Sequence, residues 1–253
     1  EELSALQVQL ECKGDFSQYE DADVIVALDK SGSMAGSGIK NAKAALREMI
    51  TYLHSIGTKK IFLIPYNNLS ELHDLSKLSE QQAHMDVNSI TASGGTVFKT
   101  AFDRIKEVIT AQKSKRVVIV FLTDGQDNTI TDSQGRTALN KQCEELRAFI
   151  TKATLMSEVH TIGFTAEHDV ELLEKITTAG KAHGTFQYCE SAGNIVACIQ
   201  SICGIMTGFN PQVSLHFDNS KLPIAIQTEE VASDVNLRTL QANIYLDKKV
   251  YSS

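Results

Sequence analysis

The chain has 253 residues, of which 42% are hydrophobic and 22% are charged, and its formal net charge is −7. This composition excludes collagen-like, low-complexity and largely disordered proteins. The sequence contains no dense run of Lys and Arg and no apolar stretch of about 18 residues, so we expect no nucleic-acid partner and no membrane span.

The first segment alternates between apolar and polar positions. Leu6, Val8 and Leu10 are separated by polar residues, which is the pattern of a strand with one buried face. The next segment, from Gly14 to Asp23, is polar and acidic. We interpret it as a loop or linker.

Between residues 24 and 206, short apolar runs alternate with helical patterns. Unbroken runs rich in β-branched residues are typical of strands that are covered on both faces. The predicted strands are Val24–Leu28, Ile61–Ile64, Val117–Leu122, Glu158–Phe164 and Gly184–Cys189. The predicted helices, with apolar residues three and four positions apart, are Ile39–Leu53, Phe98–Ile109, Leu139–Ile150, Val170–Ala179 and Ile195–Met206.

This alternation predicts an α/β fold with a doubly wound, mostly parallel sheet flanked by helices, of Rossmann-like architecture. The segment Ser70–Leu78 can add a short antiparallel edge strand. After Gly208 the pattern alternates again without helices, in Val213–Phe217, Leu222–Ile226 and Leu240–Leu246. We therefore expect an α/β domain over 20–207 and a small antiparallel β module, truncated, from 1–13 and 208–253.

Oxygen-bearing side chains follow the predicted strands at three places. Asp29, Ser31 and Ser33 follow the first buried strand, Thr96 follows Gly94-Gly95, and Asp124 follows the strand that ends near Leu122. The carboxyl ends of strands in such a sheet form the ligand-binding edge. Carboxylates and hydroxyls are hard ligands that suit Mg²⁺ or Mn²⁺.

The pattern D-x-S-x-S, then a Gly-Gly-Thr loop, then T-D-G after an apolar strand resembles the von Willebrand factor A (vWA) domain family. The resemblance covers about residues 20–206. It implies a metal-ion-dependent adhesion site (MIDAS) with Asp29, Ser31, Ser33, Thr96 and Asp124 at the five ligand positions. It also implies a coordination sphere left open for an Asp or Glu of a protein partner.

Each of these residues also has a simpler interpretation. Asp29 can cap the first turn of its loop, and Ser31, Ser33 and Thr96 are common helix-capping residues. Asp124 can form an Asx turn before Gly125. We expect Lys30 to point along its loop into solvent. We interpret Asp127 and Asn128, just beyond Asp124, as a solvated loop.

The resemblance implies a Mg²⁺-dependent protein-interaction module rather than an enzyme. A phosphotransferase of the haloacid-dehalogenase type needs a second aspartate two residues after Asp29, and that position is Ser31. The alternative is a scaffold or assembly subunit of an intracellular machine, such as a ubiquitin-ligase or chelatase component, with a vestigial metal site.

The cysteines indicate the compartment only weakly. Their number is odd, no C-x-x-C motif occurs, and Cys198 and Cys203 lie within an apolar helical run. We interpret them as reduced core residues rather than as a disulfide framework. On this basis we expect a cytoplasmic rather than an extracellular location. The five cysteines are Cys12, Cys143, Cys189, Cys198 and Cys203.

Overall fold

The computed structural model describes only part of the chain, and all structural statements below concern that part. The described residues are 3–13, 22–55, 58, 60–124, 127–164, 169–182, 184–189, 198, 202, 224–233 and 237–247. The predicted strand 213–217 and most of the predicted helix 195–206 lie outside them. The chain divides into two compact units. The larger is Asp21–Met206, and the smaller combines Glu1–Glu20 with Thr207–Ser253.

The larger unit contains a six-stranded sheet with helices on both faces, which confirms the predicted α/β fold. The strand order is β4-β3-β2-β5-β6-β7. Neighbouring strands are parallel except for the short edge strand β4, which is antiparallel to β3. Its strands are β2 (Asp23–Asp29), β3 (Lys60–Tyr66), β4 (His73–Asp74), β5 (Arg116–Thr123), β6 (Met156–Gly163) and β7 (Phe186–Tyr188). Its helices are α1 (Ser37–Ser55), α2 (Glu80–Ser89), α3 (Phe98–Gln112), α4 (Ser133–Ala153) and α5 (Val170–Thr177).

The central strands β2 and β5 are buried along their whole length, as their unbroken apolar sequences predict. Alternate residues of these strands face opposite sides of the sheet. Val24 and Val118 pack on the side of α1 and α2, whereas Ile25 and Ile119 pack on the side of α3, α4 and α5. Burial of two apolar layers on either face of one sheet stabilises the fold and fixes the direction of every strand end.

Helix α2 was not predicted from the sequence. It buries only Ala83 and Val87, so its apolar pattern is too sparse to stand out from a loop. The signal that could have found it is a capping box. The Ser79 hydroxyl accepts from the backbone N–H of Gln82 at 3.3 Å, and the Gln82 side chain accepts from Ser79 N–H at 2.9 Å.

The second unit contains a three-stranded antiparallel sheet in the order β1-β9-β8. Strand β9 (Leu237–Asp247) lies in the centre, between β1 (Leu3–Lys13) and β8 (Ile224–Ser233). Pairing of β8 with β9 shifts register between Glu230 and Ala232. The predicted boundaries of the two units, at 13, 20 and 207, stay a prediction.

Candidate metal-binding site

The candidate site lies where the chain direction in the sheet reverses. From β2 the chain passes through α1 to β3 on one side, whereas β5 lies on the other side of β2. The loops that follow β2 and β5 therefore diverge at the carboxyl edge of the sheet. Such a switch point is where ligands bind in doubly wound folds.

Asp29 is the last residue of β2 and is fully buried. Its Oδ1 accepts a hydrogen bond from the backbone N–H of Ser31 at 2.8 Å, and its Oδ2 accepts one from the Thr123 hydroxyl at 2.6 Å. Burial raises the pKa of Asp29 to about 6, although these two hydrogen bonds lower it in part. The carboxylate thus orients its loop and adds negative charge to this edge of the sheet.

Ser31, Ser33 and Asp124 form a chain of oxygen atoms that joins two loops. The Ser31 hydroxyl lies 2.9 Å from the Ser33 hydroxyl, which in turn donates to Asp124 Oδ1 at 3.1 Å. Burial raises the pKa of Asp124 as well, and the bond from Ser33 lowers it. Ser31 and Asp124 are buried, whereas Ser33 is exposed, so the chain of oxygens opens to solvent at Ser33.

The loop of residues 93–96, called the third loop below, is held by backbone hydrogen bonds against the first loop, which follows β2. Gly32 N–H donates to Gly94 C=O at 2.8 Å, and Ser93 N–H donates to Lys30 C=O at 2.7 Å. Gly94 has a φ of +78°, a conformation that side-chain-bearing residues rarely adopt. A Cβ on Gly95 would lie 2.7 Å from Asn128 Oδ1. The two glycines thus permit an approach that Ala would prevent.

Thr96 is buried and lies on this third loop, but no described contact joins its hydroxyl to the other four candidates. Its backbone is fixed from the far side, because its N–H donates to Asn128 Oδ1 at 2.6 Å and its C=O accepts from Asn128 N–H at 2.8 Å. The helix cap of α3 is Val97, not Thr96. The simpler interpretation of Thr96 as a capping residue is therefore wrong.

The interpretation of Asp127 as part of a solvated loop is also wrong, whereas Asn128 is exposed as expected. Asp127 is buried, and its Oδ2 accepts from Phe98 N–H at 2.6 Å while its Oδ1 accepts from Thr129 N–H at 2.7 Å. Phe98 begins α3, whose own cap residue makes no side-chain hydrogen bond, so Asp127 satisfies the helix start from another loop. The exposed Asn128 holds Thr96, as described above.

Lys30 does not point freely into solvent as expected. Its ammonium group pairs with the Glu71 carboxylate, and only 14% of its side chain is exposed. The hydrogen bond from Lys30 lowers the pKa of Glu71. The Lys30 ammonium group is therefore paired with a carboxylate of the fold rather than free in solvent.

The donor set fits a small divalent cation. Mg²⁺ takes six oxygens at about 2.0–2.1 Å, so neighbouring ligands of an octahedron are about 2.9 Å apart. The oxygen separations of 2.9 and 3.1 Å along Ser31, Ser33 and Asp124 match that edge, and they are also ordinary hydrogen-bond lengths. No group of three or more His, Cys, Asp or Glu side chains suited to a metal occurs among the described residues. The candidate donor set therefore consists of two carboxylates and several hydroxyls.

Comparison with known proteins relates this chain to one family of domains. Residues 23–197 match the family model of the von Willebrand factor type A domain. No significant match was found among curated protein sequences. The described part of the chain contains no helix with both the length and the apolar character needed to cross a bilayer.

Three solved structures share the fold at low sequence identity. A von Willebrand factor type A protein from Catenulispora acidiphila is 14% identical with a TM-score of 0.59, over 96% of this chain and 61% of that one. The pilus adhesin SpaC from Lactobacillus rhamnosus GG is 15% identical with a TM-score of 0.59, over 96% and 40%. A D319A mutant of the PilB minor pilin from Streptococcus sanguinis is 14% identical with a TM-score of 0.63, over 74% and 62%. This chain thus spans less than two thirds of each.

Proposed function

Because the chain belongs to the von Willebrand factor type A domain family, whose members commonly serve as protein-interaction and adhesion modules, we propose that it binds an acidic residue of a protein partner through Mg²⁺ or Mn²⁺. The metal ligands would come from Asp29, Ser31, Ser33, Thr96 and Asp124. We infer a binding role rather than an enzymatic one.

One observation carries this proposal: two buried carboxylates lie at one sheet edge with two hydroxyls between them. Burial raises the pKa of both Asp29 and Asp124, and the Asp124 charge contributes to the shift at Asp29. Two buried negative charges at one edge of the sheet favour a bound cation.

The partner class follows from the oxygen ligands that the site still lacks. The two carboxylates formally balance the charge of a divalent ion, but Mg²⁺ takes six oxygens and the candidate set offers five residues, three of them neutral hydroxyls, so the ion would accept a further oxygen. A carboxylate of another protein is a suitable further oxygen ligand. Leu69, which is 75% exposed, follows Asn68, whose side chain accepts a hydrogen bond from Gly95 N–H. It offers an apolar contact beside the third loop, and the pilus adhesin among the structural relatives is consistent with an adhesive role.

Calorimetry with Mg²⁺ tests the metal site. We expect one site per chain with a dissociation constant at or below the millimolar range, and a higher Tm in Mg²⁺, because a ligand of the native state stabilises it. Asp124→Ala should abolish both effects. Asp103→Ala, which removes a half-exposed carboxylate on α3, is the matched control and should keep them. Failure of the wild type to bind Mg²⁺ at roughly 10 mM, a concentration above the expected dissociation constant, would overturn the metal site.

Selection from a displayed peptide library tests the partner class. Peptides retained in Mg²⁺ and released by EDTA should share an Asp or Glu, and its replacement by Asn or Gln should remove binding. Peptides that bind equally well in EDTA would instead support the alternative, an assembly subunit with a vestigial metal site. We propose a cytoplasmic location for either form, supported by the free, buried thiol of Cys143.

A further inference from the structure

Two cysteines from different segments of the α/β unit are in direct contact. The Sγ atoms of Cys189 and Cys198 lie 2.7 Å apart, and both residues carry free thiols. Carbon atoms in van der Waals contact are about 3.5–4.0 Å apart, and sulfur is larger than carbon. The two sulfurs are therefore closer than ordinary packing brings them.

The surroundings hold this pair in place. Cys189 directly follows β7, and its backbone N–H donates to Gly163 C=O, at the end of β6, at 2.9 Å. It is 1% exposed and belongs to the apolar cluster that also contains Ile202. Cys198, a helical position, packs against the same cluster and is only partly buried. One thiol is thus fixed to the sheet, while the other remains accessible to a reagent.

We propose that Cys189 and Cys198 are a redox-modification site that forms a reversible intramolecular disulfide. The oxidant is a low-molecular-weight disulfide, RSSR, of the glutathione class. The Cys198 thiolate attacks one sulfur of RSSR, which forms a mixed disulfide and releases one RS⁻. The Cys189 thiolate then attacks the Cys198 sulfur and expels the second RS⁻. Two protein thiols are oxidised, RSSR is reduced to two RSH, and the two thiol protons pass to the RS⁻ groups.

The environments of the thiols set the order of these steps. Burial raises the pKa of the Cys189 thiol well above its usual range, and the neighbouring Cys198 raises it further. A buried, protonated thiol is a poor first nucleophile. Cys198 therefore meets the oxidant first, and Cys189 acts as the resolving thiol because it is already in contact. This inference is independent of the proposed metal site.

Cys143 supplies an internal control. It is buried in α4, and burial raises the pKa of its thiol to about 11. No sulfur contact is described for it. If oxidation requires two sulfur atoms in contact, Cys143 should stay reduced under conditions that oxidise Cys189 and Cys198.

Peptide mapping of the whole chain tests the pairing. The protein is equilibrated with oxidised glutathione, alkylated and digested with a protease that cleaves after glutamate. Cleavage at Glu190 separates Cys189 from Cys198. Trypsin would leave the two cysteines in one peptide, because positions 182–220 contain no Lys or Arg. We expect a disulfide-linked pair of peptides that dithiothreitol separates, and an alkylated Cys143. Peptide fragmentation, repeated on Cys203→Ala, distinguishes Cys198 from Cys203. Full alkylation of Cys189 and Cys198, or a bridge to another cysteine, would overturn the proposal.

A thermal measurement tests the consequence. A disulfide between these residues closes a short loop in the unfolded chain, so the oxidised wild type should melt about 5 °C above the reduced protein. Cys189→Ala and Cys198→Ala should each lose this dependence on dithiothreitol, whereas Cys143→Ala should keep it. Equal Tm values for oxidised and reduced wild type, with the bridge shown by mapping, would leave the bond in place but remove its stabilising role. Retention of the dependence in either pair variant would contradict the assignment.

Discussion

The Thr123 hydroxyl, at the end of β5, donates a hydrogen bond to Asp29 Oδ2, at the end of the adjacent strand β2, at 2.6 Å. Both residues are fully buried. The bond opposes the effect of burial by lowering the pKa of Asp29. Thr123 therefore helps to keep a buried carboxylate ionised, although it was not among the predicted site residues.

Thr123→Val should weaken Mg²⁺ binding about tenfold at pH 7, because a hydrogen bond to a charged group contributes about 1.5–3 kcal/mol. The valine variant raises the pKa of Asp29 further and so favours its protonated form. Thr123→Ser keeps the hydroxyl and should bind nearly as the wild type does. Calorimetric titration of the three proteins measures the difference. Equal affinity of the valine and serine variants would show that the bond has no part in metal binding.

Most of the fold was predictable because buried parallel strands have an unmistakable sequence pattern. Val24–Leu28 and Val117–Leu122 lie in β2 and β5, and even the short edge strand was expected within Ser70–Leu78. Helix α2 was not predicted, because its two buried residues give little periodicity. The spacing of apolar residues reveals a helix only when that helix buries a full apolar face.

The site was predictable where ligand types recur at fixed spacing, and not where support comes from a distant segment. Asp29 and Ser31 are two residues apart, so sequence alone groups them. Asp127 caps α3 from another loop, and Asn128 holds Thr96 across 32 positions of the chain. Such tertiary hydrogen bonds leave no periodic signal, and a polar pair after T-D-G looks like any solvated turn.

Asp29→Asn should make the metal-free protein more stable above pH 6. The folded carboxyl has a pKa of about 6, against an ordinary aspartate value of 3.8, so the native state binds the proton more tightly than the unfolded chain. Stability from this group therefore falls as pH rises from about 4 to 6 and is constant above. Removing the charge should raise the free energy of unfolding at pH 7.5 by about 2–3 kcal/mol, with the difference vanishing near pH 4.

Urea denaturation in EDTA at pH 4.0 and 7.5 measures this effect, with Asp103→Asn as the control that should change little at either pH. The same Asp29→Asn protein should gain less stability from Mg²⁺ than the wild type does. A variant that is less stable than the wild type at pH 7.5 without metal would show that the Asp29 charge is compensated in the fold.

Gly95→Ala should both destabilise the protein and weaken metal binding. The new Cβ would lie 2.7 Å from Asn128 Oδ1, the atom that accepts from Thr96 N–H. Asn128 has to move, and Thr96 loses a backbone hydrogen bond, so we expect a loss of about 1–3 kcal/mol. Thermal unfolding and Mg²⁺ titration check the two effects. Gly36→Ala, at a positive φ but in open space, should cost stability without reducing Mg²⁺ affinity.

Asp127→Ala should destabilise the fold by about 2–4 kcal/mol, because it leaves the buried N–H of Phe98 without its acceptor. Asp127→Asn keeps one acceptor oxygen and should lose about half as much. Denaturation in urea measures both, and hydrogen exchange at the first turn of α3 should rise in the alanine variant. Wild-type exchange in that turn would show that another group caps the helix.

Ser33→Ala separates the metal site from the stability of the fold. The Ser33 side chain is exposed, so its loss should change the free energy of unfolding by no more than about 0.5 kcal/mol in the absence of metal. Its hydroxyl nevertheless joins Ser31 to Asp124, with separations of 2.9 and 3.1 Å. If this oxygen is a metal ligand, its removal should weaken Mg²⁺ binding at least tenfold, because hydroxyls provide much of the candidate donor set.

Calorimetry of Ser33→Ala beside Ser37→Ala, a serine that begins α1, measures the effect under one set of conditions. Ser37→Ala should bind Mg²⁺ as the wild type does. Unchanged Mg²⁺ affinity in Ser33→Ala would remove Ser33 from the ligand set and restrict direct coordination to the buried oxygens. A large loss of metal-free stability would instead assign the hydroxyl a role in holding the loops together, since its bond to Asp124 joins them.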